Sequence, residues 1–180
     1  EMIAGDESKR EVWAEVLKSR REKGIPYLFF TDTANKNKPQ VYKDNNKLIN
    51  SSNLCNEIML STSEDESLVC CLSSMNLYLY DEWKDTDAVE TMVYFLDAVM
   101  QDFIDKSEGM EGFKRAHKFA KSQRALGLGV LGFHSLLQKR FISFESLDAV
   151  YLNHEVFKHL QEKTIKASKQ LAVEYGEPKL

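Results

Sequence analysis

A carboxamide, a thiol and a carboxylate stand at every second position in the segment Ser51-Ser52-Asn53-Leu54-Cys55-Asn56-Glu57-Ile58. Successive side chains of a β-strand point to opposite faces. A strand here sets Asn53, Cys55 and Glu57 on one face, with Leu54, Asn56 and Ile58 on the other. Such a row suits a polyol substrate. The amide holds hydroxyl groups, the carboxylate accepts a proton from one of them, and the thiol serves as nucleophile, reductant or radical carrier. The residue types leave a second reading open, because free cysteine is among the most buried side chains. In that reading Cys55 is a small apolar side chain packed between two satisfied polar neighbours. A cysteine–histidine hydrolase is not indicated. His117, His134, His154 and His159 are all distant in sequence, and none has zinc-ligand spacing with a cysteine, so no metal is expected on this chain.

The elements that position this segment are legible in outline. Val12, Trp13, Val16 and Leu17 recur at helical spacing, which predicts a helix over 7–23 stopped by Gly24. Tyr27-Leu28-Phe29-Phe30-Thr31 has the length and aromatic content of a buried strand. Asp32 to Asn50 reads as a long polar loop with a short extended piece at Val41-Tyr42. Leu54–Leu60 and Leu68–Leu72 are candidate strands around the cysteines, and a hairpin-like return would bring Cys55 near Cys70. Asn76 to Trp83 is transitional. Helices are expected over about 86–105, 113–123, 131–139 and 146–175, with Ala125 to Val130 as a short strand or extended turn. Leu152, Val156, Leu160, Ile165 and Leu171 are the expected inward positions of the last helix. The order of elements is that of an α/β protein.

Composition narrows the function classes. The 180 residues are a prior for one domain, and 43% apolar with 29% charged is ordinary for a soluble globular chain. A net charge of −4 gives no support for nucleic-acid or membrane-surface binding, and no apolar run approaches a membrane span. Three cysteines without a secretory signal suggest reduced thiols in a cytoplasmic setting. Gly127-x-Gly129-x-x-Gly132 fits the dinucleotide fingerprint by letters, but a Lys/Arg-rich helical stretch precedes it where the fingerprint needs a strand. Backbone turning and close packing account better for these glycines.

Four segments in order carry a family resemblance. They are Glu22-x-Gly24-x-Pro26-Tyr27 with Phe30-x-Asp32-x-x-Asn35, Ser52-Asn53-Leu54-Cys55-x-Glu57-Ile58, Cys70-x-Leu72-Ser73-Ser74-x-Asn76-Leu77, and Arg124-x-Leu126-Gly127-Leu128-Gly129-Val130-x-Gly132. Together they resemble the large, catalytic subunit of class I ribonucleotide reductase. The resemblance implies part of a ten-stranded α/β barrel. Residues 1–180 form a single fragment of it, strand-rich over 1–83 with the active-site loop and mainly helical over 84–180. It implies reduction of ribonucleotides to 2′-deoxyribonucleotides by a thiyl radical. Cys55 would carry the radical, Glu57 would take a proton from the 3′ hydroxyl, Asn53 would orient the substrate with Ser52 beside it, and Cys70 would be one half of the reducing dithiol.

The partner of Cys70 in the family lies upstream of residue 1. Cys71 is unsuited to replace it, because adjacent cysteines rarely reach unstrained disulfide geometry; packing is its expected role. No cofactor is expected on the chain itself. The implied partners are the ribonucleotide, a small radical-generating subunit with a dinuclear metal, the remaining parts of the large subunit, and a thioredoxin- or glutaredoxin-like reductant. The chain alone is expected to be inactive. Two further readings stand beside this one: a non-catalytic module that complements a split reductase, and an unrelated helical binding domain.

Overall fold

The computed structural model describes residues 5–69 and 71–180, so Cys70 lies outside the described residues. The chain forms two compact units that divide between Thr62 and Ser63.

The first unit is built on helices. α1 spans Glu7–Lys23; the Asp6 side chain accepts from the Lys9 amide at its start, and Gly24 ends it at a left-handed φ of 76°. The expected helix is present, but it buries none of its residues: Val12 and Leu17 stay 67% and 47% exposed. Tyr27 to Phe30 has no ladder partner among the described residues, so the expected strand is not formed. Thr31 already opens α2 (Thr31–Lys36), and α3 (Gln40–Asp44) follows after Pro39. The polar stretch is therefore not a plain loop, and Val41-Tyr42 is helical rather than extended. Pro39 supplies the fixed φ that starts a helix, and Tyr42 and Ala34 give these short helices their buried face.

The second unit holds a parallel strand pair. β1 (Cys71–Asn76) lies beside β2 (Leu126–Leu131) in parallel register, Cys71 opposite Leu126 and Asn76 opposite Leu131. Leu54–Leu60 forms no strand, and Cys71 and Leu72 pair with Leu126 and Gly127 instead. A parallel pair needs a long crossover, and α4 (Tyr80–Trp83), α5 (Ala88–Ser107) and α6 (Lys114–Gln123) supply it. α7 (Phe133–Lys139) and α8 (Leu147–Tyr175) complete the unit. Its main core gathers Met75, Leu77, Tyr80, Val89, Leu136 and Leu152 among others. Val93, Leu96, Met100 and Ile104 of α5 are buried as their spacing predicts. On α8 the inward face runs from Leu160 through Thr164 to Ala167, and Ile165 is left 47% exposed. Ile165 is five positions after Leu160, whereas one face of a helix repeats every three or four.

Cys71 is half-buried against Met100, Ile104 and Ala120, and its thiol lies 3.4 Å from the Leu96 carbonyl oxygen. It packs as expected. Tyr80 is buried with its hydroxyl 3.4 Å from Glu155 Oε1; burial and this carboxylate push its pKa up to about 12.

Gly127 and Gly129 lie inside β2 and not in a phosphate-binding turn. Gly132 follows the strand at a φ of 78°, and a Cβ there would sit 3.0 Å from Asn76 Oδ1, which already accepts from the Tyr78 amide. Gly132→Ala is expected to destabilise the chain by about 1–2 kcal/mol, the cost of a side chain in left-handed backbone. Denaturant unfolding measures it; an unchanged midpoint and slope would contradict this account.

Glu90 on α5 is 5% exposed and ties that helix to α8 through Lys163 at 3.0 Å and Lys166 at 3.6 Å. Burial alone would raise its pKa, but the hydrogen bond and charge of Lys163, with the charge of Lys166, bring it below the ordinary 4.5. A depressed folded-state pKa stabilises above the unfolded value and is lost as pH falls through the folded one. The stability of the wild-type chain should therefore fall below pH 4.5 through this group, and Glu90→Gln should flatten that part of the profile. Thermal unfolding of both proteins against pH checks it.

Candidate active site

The Cys55 segment is not a strand. The Asn56 amide donates to the Asn53 carbonyl at 3.1 Å, closing a turn with Leu54 and Cys55 at its tip, and Asn56 takes a left-handed φ of 67°. The alternation argument therefore does not apply to these residues. Asparagine is the residue type, after glycine, that best tolerates this backbone, and its side chain favours turns. The pair Asn53 and Asn56, three apart, was the signal in the sequence for a turn.

The turn brings together two of the three expected groups by a different route. Asn53 Nδ2 donates to Glu57 Oε1 at 2.6 Å, a short charge-assisted hydrogen bond. Asn53 also binds the backbone on the far side: its amide donates to the Ile58 carbonyl at 3.3 Å, and the Ile58 amide donates to Asn53 Oδ1 at 3.0 Å. Asn53 is thus the hub of the segment. The Ser52 hydroxyl lies 2.5 Å from Asn56 Oδ1 and 3.0 Å from the Asn53 carbonyl oxygen, and Asn56 Nδ2 donates to the Leu28 carbonyl at 3.4 Å. Cys55 is exposed, which removes the reading of its sulfur as a packed apolar group in this chain. Leu54 is 87% exposed beside it.

The base of this loop is also closed. Asn50 Nδ2 donates to the Thr62 carbonyl at 3.0 Å, and the Ser61 amide donates to the Tyr42 hydroxyl at 3.3 Å. The arrangement is a tied loop: fixed at its base, cross-linked at Asn53–Ile58, with a free thiol at its tip and a carboxylate held by the Asn53 amide. It can present a sulfur, a proton acceptor and a hydrogen-bonding amide to a ligand that covers the tip.

Residues 4–179 match the family described as ribonucleotide reductase, barrel domain. The chain belongs to the ribonucleotide reductase family. It is 43% identical over 176 residues to the putative ribonucleoside-diphosphate reductase large subunit of Frog virus 3 (isolate Goorha), covering 97% of this chain and 31% of that protein. It is 39% identical over 168 residues to the ribonucleoside-diphosphate reductase large subunit of Invertebrate iridescent virus 3, covering 93% of this chain and 26% of that one. The fold matches the class Id ribonucleotide reductase alpha subunit of Actinobacillus ureae with a TM-score of 0.90 and 58% identity, over 99% of this chain and 34% of that subunit. The chain thus spans between about a quarter and a third of these relatives.

These likenesses make the parallel pair β1–β2, with its helical crossover, part of the reductase barrel and set aside an unrelated helical binding domain. Ser52, Asn53, Cys55 and Glu57 lie on one described loop. Asn35, Tyr42 and Asn50, which hold that loop, were not among the expected site residues. Among the described residues no helix is long and apolar enough to cross a membrane, and no group of three or more His, Cys, Asp or Glu side chains is placed to hold a metal.

Proposed function

We propose that this chain carries the radical-bearing loop of a ribonucleotide reductase large subunit acting on ribonucleotides in the cytoplasm. The observation that supports it most is the 2.6 Å bond from Asn53 to Glu57 on the turn that carries an exposed Cys55. It fixes a carboxylate and an amide to one another on the same loop as the thiol.

The chemistry then runs as follows. A Cys55 thiyl radical takes the hydrogen atom from C3′ of the ribose. Glu57 accepts the 3′ hydroxyl proton while the 2′ hydroxyl, protonated by a thiol, leaves as water. Cys70 and a second cysteine supply two electrons and two hydrogens as they become a disulfide: one proton leaves in the water, the other hydrogen goes to C2′, and Glu57 returns its proton to the 3′ oxygen. Cys55 returns its hydrogen atom to C3′ and is again a thiyl radical. Asn53 holds the substrate within near-attack distance, with Ser52 beside it. No cofactor sits on this chain; the radical comes from a small partner subunit with a dinuclear metal, and a thioredoxin- or glutaredoxin-like protein restores the dithiol. A thiyl radical needs a dry site, and the remaining parts of the large subunit provide the cover over Cys55.

The test uses the complete large subunit containing this segment, with the radical-generating subunit, a dithiol reductant and a ribonucleoside diphosphate. The expected product is the 2′-deoxyribonucleotide, with one disulfide formed per product. Absence of that product in the full assembly, with the radical present, rejects the proposal.

A further inference from the structure

The segment Phe30-x-Asp32-x-x-Asn35 marks the family, yet the reaction above gives Asn35 no task. Its surroundings supply one. Asn35 Nδ2 donates to the Ile49 carbonyl at 2.8 Å and to the Thr31 carbonyl at 2.9 Å, and the Ile49 amide donates to Asn35 Oδ1 at 3.0 Å. One side-chain amide thus pairs with both the N–H and the C=O of a single residue, as a neighbouring strand would. Ile49 is 2% exposed, so its backbone groups depend on such a partner. A carboxamide has both a donor and an acceptor for this purpose; a carboxylate has acceptors alone.

Ile49 is the last buried residue before the tied loop, and Asn50 begins the loop by binding Thr62. On the other flank the buried Ser61 is held by the Tyr42 hydroxyl. α2 therefore fixes one end of the loop and α3 the other, while the tip carries an exposed Cys55 and is reached by the longer 3.4 Å contact of Asn56 Nδ2 with the Leu28 carbonyl. A loop held at its ends transmits any movement of those ends to its tip.

We propose that Asn35 is a positioning residue for Cys55, acting through the backbone of Ile49, with Tyr42 as its counterpart on the other flank. The inference rests on the radical role of Cys55 given above. Releasing Ile49 lets the loop base shift, and a displacement of about 1 Å at reacting atoms is enough to cost on the order of 100-fold in rate. The step that suffers is hydrogen transfer from C3′ to the Cys55 sulfur.

The experiment compares Asn35→Asp, Asn37→Asp and Cys55→Ser with wild type in the complete large subunit and its radical-generating partner. Asn37 is on the same helix end, but its side-chain amide donates locally, to the Thr33 carbonyl at 2.8 Å. Asn35→Asp should lower kcat by roughly 10- to 100-fold and leave KM within about threefold. It should also raise the isotope effect on kcat with 3′-deuterated substrate, because hydrogen transfer becomes limiting. A purely structural defect lowers the folded fraction and leaves that isotope effect unchanged. Asn37→Asp should behave as wild type.

The proposal is overturned if Asn35→Asp keeps its kcat, if its loss matches the loss of folded protein with no change in isotope effect, or if Asn37→Asp loses as much. Should Asn35→Asp fail to fold, Tyr42→Phe decides: a raised isotope effect supports positioning by the loop base and an unchanged one overturns it. Cys55→Ser separates the two claims. If it stays active, the radical role of Cys55 falls; if it is inactive while Asn35→Asp matches wild type, only the positioning role falls.

Discussion

Cys55→Ser in the complete large subunit, assayed with its radical-generating partner, is expected to reduce deoxyribonucleotide formation by at least about 1000-fold, a barrier increase of about 4 kcal/mol or more. The substitution changes one atom of an exposed side chain at the tip of a turn. None of the hydrogen bonds given above for the turn involves that atom: Asn56 to Asn53 is backbone, and those of Ser52, Asn53, Asn56 and Ile58 use other groups. The fold and substrate affinity should therefore survive. Only the radical chemistry is lost, because an alcohol O–H bond is far stronger than a thiol S–H bond and the serine cannot be oxidised by the same relay. Product assay, substrate binding and thermal unfolding together make the check. Activity within tenfold of wild type, in protein shown to retain no Cys55, would remove the radical role from this loop.

Glu57→Gln should reduce kcat by about 100-fold or more, within the range attributed to a positioned general base. Glutamine keeps the length of the side chain and an oxygen that can accept from Asn53 Nδ2, so the turn is preserved. What disappears is the capacity to take the 3′ hydroxyl proton as the 2′ hydroxyl departs. KM should stay within about threefold, since a group that acts mainly in the transition state contributes little to ground-state binding. Steady-state kinetics measure both quantities. A variant whose kcat stays within twofold would assign Glu57 to shaping the turn and not to proton transfer.

These two residues also mark where sequence reasoning reached and where it stopped. The residue types at 53, 55 and 57 suggested a chemistry for a polyol and left open a packed cysteine between two satisfied polar neighbours. The strand assumed to align them was wrong. Leu54, Ile58 and Leu60 give a pattern that a strand would share, and the turn potential of Asn53 with Asn56 was outweighed by it. In the structure the amide and carboxylate meet because a turn folds residue 57 back toward residue 53. Helices were read more successfully than strands. Val89, Val93, Leu96 and Met100 repeat along one face of α5, and that local period reports burial directly. The strand Cys71–Asn76 finds its partner more than fifty residues later, and no local pattern encodes that distance.

What the amino-acid sequence settled without help is the family, the α/β class and the positions of the long helices, because these rest on residue identity and on spacing within a few turns. Tertiary structure decided which backbone groups each short segment satisfies. Asn35 is a motif position without a task until Ile49 lies beside it, and Tyr42 is an aromatic in a polar stretch until its hydroxyl meets Ser61. The physical reason is that hydrogen-bond partners fourteen and nineteen residues apart are chosen by the path of the whole chain. Periodicity carries no record of that path.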